Sequence, residues 1–283
     1  PIRILLVSPR PEDARASYID HRVSALALVD AVEQLGDLVT LTVLTPPTLP
    51  ALEATLQAAA DTGKPFHVVH FDGHGIYDRE HGLGGLCFED PNEQDKLQKR
   101  ASALVYADKQ AEVIRDHRIP LAFLEACQSA QAETDPTASV AAKLLEVGVT
   151  SVVAMSHSVL VETAHRFVAA FYQALAEGAR VGQAMLAGQR ALYGDSARGQ
   201  IMGAGELRLQ DWFVPVLYQE EHDPQLFTAR LPDAARHTQA DGRQRSFGFL
   251  PQSPPHKFHG RSRALLALER GRLEERVSVN VDA

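Results

Sequence analysis

Cysteine is scarce, with 2 in 283 residues, so no disulfide framework can hold the fold and a reducing, cytoplasmic setting is expected. Basic residues are in deficit: Lys and Arg number 28 against 36 Asp and Glu, for a net charge of −8. That balance argues against nucleic acid as a partner, because meeting phosphates takes a basic surface. No stretch approaches the roughly 18 apolar residues that span a bilayer, so no membrane partner is expected either. The opening Pro1–Ser8 is too short for a signal peptide and ends like a strand. A chain that begins with Pro1 reads as a processed or excised piece of something longer. No G-x-x-x-x-G-K-[ST] follows Gly82 to Gly85, so that segment is not a phosphate loop. There is no C-x-x-C pair, and His67 and His70, three apart on a strand, face opposite sides; neither a metal nor a cofactor is expected.

What is present is an ordinary globular composition, 45% hydrophobic and 23% charged. Apolar runs at Ile2–Val7, Leu38–Leu44, Phe66–Phe71, Leu121–Leu124, Ser151–Met155 and Trp212–Tyr218 read as strands. Helical spacing runs over Tyr18–Leu35, Leu49–Ala60, Ala101–His117, Ser139–Val147, Glu162–Glu177 and Val181–Tyr193. Gly73 to Gly85 reads as irregular, except that Gly84 to Phe88 reads as a strand. Strands that are apolar throughout and alternate with helices predict an α/β fold, a mainly parallel sheet covered on both faces. Residues 1–219 form this domain. Residues 220–283, richer in Asp, Arg, Gln, Ser and Pro, read as a linker and helical arm.

In such a sheet ligands sit beyond the carboxyl ends of the strands, and two chemically able residues fall there. His74 follows the third strand in F-H-V-V-H-F-D-G-H-G, and Cys127 follows the fourth in F-L-E-A-C-Q-S-A. A thiol attacks a carbonyl only as thiolate, and an imidazole can take its proton and later return it to the leaving amine. The N–H groups of Gly75 and Cys127 would receive the oxyanion. Singly, each residue is as readily a buried small hydrophobe or a capping histidine; together at equivalent strand ends they make a cysteine-protease site. Cys87 reads as a buried structural thiol, and Asp72 as orienting or capping the histidine loop. His157, a second histidine near a strand edge, lacks flanking glycines and is the lesser candidate for the base.

His74 precedes Cys127 by 53 residues (127 − 74), and both motifs resemble those of the caspase-like, separase-like peptidase clan, within it the bacterial CHAT domain. Ala141–Leu145 with Ser151–Ala154, Phe167–Leu175 with its F-Y-x-x-L pattern, and Asp211–Tyr218 are similar to that family's later elements. Met155-Ser156-His157 departs from the Trp and Asp that many CHAT domains carry there. The resemblance implies a caspase-like three-layer αβα sandwich and a regulated effector cleaving a protein partner, in bacterial defence or programmed death. By strand period Glu125 faces the same way as Cys127. Caspase-like relatives use this place to read the residue before the cut, so Glu125, joined by Glu12 and Asp13, implies cleavage after Arg or Lys, against a reading in which Glu125 pairs with Arg10 or Arg15. Phe258–Arg263 and the helix after it resemble the opening of STAND-type ATPase modules, implying a regulatory ATPase or sensor module in the same or a partner chain. The rival readings are a catalytically idle CHAT scaffold that recruits partners and a receiver-like phosphate-binding domain, the latter lacking its Gly-rich loop and acidic cluster.

Overall fold

The computed structural model describes residues 1–13, 21–78, 83–93, 100–126, 140–156, 160–201 and 205–227. Five strands run parallel in one sheet: β1 (Ile2–Val7), β2 (Val39–Val43), β3 (Val68–Gly73), β7 (Leu121–Ala126) and β8 (Ser151–Met155). A sixth, β11 (Pro215–Gln219), closes one edge antiparallel to β8, giving the order β11-β8-β7-β3-β1-β2. The chain runs outward from β1 to β2, then returns to the other side of β1 as β3, so the switch point lies between β1 and β3.

Alternate residues of each strand serve opposite faces, and both faces are buried. Ile2, Ile4, Leu6, Val68, Leu121, Phe123 and Val153 pack with α1 (His21–Leu35), α5 (Val161–Ala176) and α6 (Val181–Gly194). Leu5, Val7, Val69, Phe71, Ala122, Leu124 and Val152 pack with α2 (Leu49–Asp61), α3 (Ala107–Asp116) and α4 (Val140–Glu146). This double burial is why these strands are largely apolar, and it makes the three-layer αβα sandwich the sequence predicts. On α5 the buried Ala164, Phe167, Val168, Phe171, Tyr172 and Leu175 recur at three- and four-residue steps, one continuous stripe toward the sheet. Gly188 of α6 lets that helix close on α5, since a Cβ there would lie 2.5 Å from the Phe167 ring.

Several sequence expectations are corrected. Ala101–His117 is not one helix: Ser102–Tyr106 is a strand (β6), and α3 begins at Ala107. Gly73 to Gly85 is not irregular, for Gly75–Asp78 (β4) and Leu83–Glu89 (β5) pair antiparallel and β5 pairs with β6 in a second sheet. That sheet sets Leu86, Phe88 and Val105 into the α2–α3 side of the core. Trp212 and Phe213 are exposed in a turn before β11 rather than within it. A hairpin, β9 (Ala197–Ile201) and β10 (Gly205–Arg208), lies where none is expected. After β11 the chain stays bound to the domain as far as described, with Val181 N–H donating to Pro224 O at 3.1 Å and Leu226 and Phe227 packing on the core. The remainder of the expected arm, from residue 228 on, including Phe258–Arg263, lies outside the described residues, as do Arg15, Cys127 and His157.

Candidate active site

The centre of the site is the pair β3 and β7. Their register runs from Val68↔Leu121 to Gly73↔Ala126, a constant offset of 53 (126 − 73). His74, half-buried, is the residue after Gly73, and Cys127 is the residue after Ala126. Gly73 is required as glycine: a Cβ would meet the Phe71 ring at 2.9 Å and Pro9 at 3.3 Å.

Immediately after β3 the chain turns into the small sheet, which fixes the backbone of His74. Cys87 N–H donates to His74 O at 2.9 Å, and Gly75 stands opposite Leu86. That bond makes Gly75 a non-hydrogen-bonded position of the ladder, so its own N–H turns away from β5. Cys87 itself is fully buried, as the sequence predicts.

Beneath His74 lies a buried ionic cluster at the switch point. Arg10, just past β1, pairs with the carboxylate of Asp72, the side chains being 5% and 3% exposed. Its guanidinium also donates to the carbonyls of Asp72 (2.6 Å) and Pro9 (2.9 Å), and Ser8 Oγ donates to Asp72 Oδ2 (3.2 Å). Arg10 N–H donates to Glu89 Oε1 at 3.0 Å, and the other Glu89 oxygen pairs with Arg100. Asp72, two residues before His74, is thereby held to Arg10 and Ser8. The cluster bolts β1, β3 and the small sheet together.

Glu125 occupies the opposite face of the sheet from the small sheet, beside α5. Its side chain is 7% exposed, and its Oε2 lies 3.2 Å from His70 Nε2. His70, 1% exposed, stacks on Phe123 with centroids 4.4 Å apart and planes 9° off parallel, and its Nδ1 lies 2.9 Å from the Tyr172 hydroxyl. Burial raises the Glu125 carboxyl above its usual range and Asp72 adds to that, while the His70 contact and Arg10 pull it down. Burial, with Glu125 second, lifts the Tyr172 hydroxyl well above the usual phenol range, so it stays protonated.

Glu125 pairs with His70 rather than with Arg10, which is held by Asp72. Glu12 and Asp13 are not brought to it: Asp13 Oδ2 accepts from Ser102 N–H and Oγ–H, both 2.7 Å, and Glu12 N–H donates to Arg100 O at 3.0 Å. Both are thereby tied to the small sheet on the α2–α3 side, so the expectation that they join Glu125 in one pocket is corrected. His70 and Tyr172 were not foreseen as site residues. The legible signal is a histidine inside the apolar run Val68–Phe71; nothing local marks Tyr172 as its partner. His70 and His74 are four residues apart, a ligand spacing on a helix, but extended backbone carries them roughly 13 Å apart. Among the described residues no group of three or more His, Cys, Asp and Glu could hold a metal ion, and no helix is long and apolar enough to cross a membrane.

Comparison with known proteins adds a family. The sequence model of the CHAT domain matches residues 13–239. No curated protein sequence matches the chain. Among solved structures the Drosophila initiator caspase Dronc is similar, at 10% identity and a TM-score of 0.44 over 79% of this chain and 81% of that one.

Proposed function

The chain belongs to the CHAT domain family, and on that premise we propose that it is a cysteine endopeptidase with Cys127 as nucleophile and His74 as general base and acid. The observation that carries this reading is the register of β3 and β7. Gly73 pairs with Ala126, so β3 and β7 end side by side about 4.8 Å apart, with His74 next in sequence after one and Cys127 next after the other. In the reaction His74 takes the thiol proton as sulfur adds to the scissile carbonyl. The N–H of Gly75, turned out of its ladder, and that of Cys127 receive the oxyanion. Collapse of the adduct breaks the C–N bond, His74 hands its proton to the leaving amine, and water, deprotonated by the same imidazole, hydrolyses the thioester.

Glu125, two residues before the nucleophile, reads the P1 side chain and selects Arg or Lys by a charge-assisted hydrogen bond. The burial of a carboxylate at this point supports that role, because a cation bound there would meet it away from bulk water. The physiological substrate is a protein partner cut at one or a few sites. The test is hydrolysis of P1-Arg, P1-Lys and P1-Asp peptides by wild type, Cys127→Ala and His74→Ala. Wild type turns over the basic peptides, Cys127→Ala none, and His74→Ala some 10²- to 10⁴-fold more slowly. Equal behaviour of all three proteins on every substrate would falsify the peptidase reading, and preference for Asp would remove Glu125 from the P1 site.

A further inference from the structure

We propose, building on the peptidase reading above, that His70 and Tyr172 are positioning residues for substrate selection: they hold one oxygen of Glu125 and leave the other to bind the cationic head of a P1 Arg or Lys. Among the described residues His70 is the one hydrogen-bond partner of Glu125, and it engages Oε2 alone. A carboxylate can accept about four hydrogen bonds. With its side chain 7% exposed, Glu125 is short of partners, and a guanidinium or ammonium supplies what is missing.

The charge arithmetic favours a cationic ligand. Arg10 is committed to Asp72 through its guanidinium and to Glu89 through its backbone N–H, so the Arg10–Asp72 pair cancels locally and an ionised Glu125 remains in excess. A histidine can orient a carboxylate through one ring N–H, where lysine or arginine at position 70 would neutralise it outright. An ionised Glu125 can only accept, so His70 then donates from Nε2, while the Tyr172 hydroxyl, able to donate or accept, meets Nδ1. Tyr172, buried on α5, holds the far side of the ring at Nδ1 and so keeps Nε2 turned to Glu125. The stack on Phe123 removes the remaining freedom of the ring.

The device is pH-sensitive. The groups facing Glu125 are His70 and Asp72 on β3, Arg10 after β1 and Tyr172 on α5. Burial above all lifts the Glu125 carboxyl, so on acidification it takes up a proton earlier than an exposed glutamate and the site loses its charge. P1 discrimination therefore fades with falling pH, beginning above the ordinary carboxylate range.

The experiment compares P1-Arg with P1-citrulline peptides, equal in shape and different in charge. Cleavage is followed in the full chain, and binding by fluorescence polarisation in the Cys127→Ala protein, from pH 5 to 8. Wild type at pH 8 prefers Arg by about ten- to hundredfold, the usual range for a hydrogen bond to a charged group. Glu125→Gln abolishes the preference. His70→Gln and Tyr172→Phe cut this Arg-over-citrulline ratio at least threefold, and in wild type it falls on acidification. Tyr172→Phe removes one hydroxyl and no volume, so it answers the question even where His70→Gln folds poorly. A preference unmoved by either variant, a proportional loss for both peptides, or no binding of either peptide overturns the proposal. Arg-selective binding that depends on His70 with no cleavage by wild type upholds it and overturns the peptidase reading instead.

Discussion

Removing the charge of Asp72 tests the switch-point cluster most directly. In Asp72→Asn the Arg10 guanidinium keeps its bonds to the Pro9 and Asp72 carbonyls but loses its counter-ion in a place where its side chain is 5% exposed. Breaking a buried pair from one side costs about 3–5 kcal/mol, because the remaining charge is stranded out of water. The two retained carbonyl contacts, and one oxygen that Asn can still offer, put this case near the lower end, about 3 kcal/mol. Against a total stability of about 5–15 kcal/mol, that is a large fraction. Arg10→Met, which takes the guanidinium from the Asp72 carboxylate and leaves it the Ser8 hydroxyl among its donors, costs a similar amount. The double variant carries neither charge and should lose about 2 kcal/mol less than the sum of the single losses. Urea unfolding with unchanged slope measures all three. A loss under about 1 kcal/mol for Asp72→Asn, together with additivity in the double variant, would show that the pair is solvated and that the cluster does not hold β1 to β3.

Two further substitutions test the framework behind the site. Gly188→Ala sets helix propensity, a gain of about 1 kcal/mol, against overpacking of about 1–3 kcal/mol, and a Cβ at 2.5 Å from the Phe167 ring makes the second effect win; a rise in melting temperature would show that α5 and α6 can part without cost. Burial pushes the Asp211 carboxyl up, but the hydrogen bonds from Arg198 and Thr163 outweigh it and the net pKa lies below the ordinary 3.8. A depressed folded-state value means stability that is present above the unfolded pKa and lost as pH falls through the folded one. Asp211→Asn should therefore destabilise at pH 7 and flatten the acid side of the urea-midpoint profile, whereas a profile parallel to wild type below pH 4 would refute the assignment.

The central sheet was legible because its strands are buried on both faces. Ile2–Val7, broken by Arg3 alone, and Ser151–Met155, apolar after Ser151, are short apolar runs, and their bounds can be read directly from the sequence. Ser102–Tyr106 was not, because S-A-L-V-Y fits a helical stripe that continues into Ala107–Asp116 as well as it fits a strand, and its partners on β5, from Glu89↔Ser102 to Gly85↔Tyr106, lie outside any local window. Glycine hid β4 for a related reason: Gly75, flanked by the turn signals of Gly73 to Gly85, is made strand only by its ladder to β5. Within the site, His74 and Cys127 announce themselves by motif. The partner of Glu125 does not, since the hydroxyl that fixes His70 is 102 residues away in sequence, on a helix whose other residues at that face are plain hydrophobes.

The bonds across β1, β3 and β7 also limit how such a site could be switched. Slipping β7 by one residue against β3 would turn Glu125 toward the α2–α3 face and bring Leu124 or Ala126 to the His70 side, stranding His70 and a carboxylate among hydrophobes. Slipping β3 against β1 would part Asp72 from Arg10 and, through Glu89, pull the small sheet out of line with it. Each movement breaks a buried polar contact before any new one can form. The alignment of His74 with the end of β7 is thus a rigid property of the sheet. If Cys127 is the nucleophile, as proposed, its control has to come from outside the strands, from the chain that follows them or from what binds it.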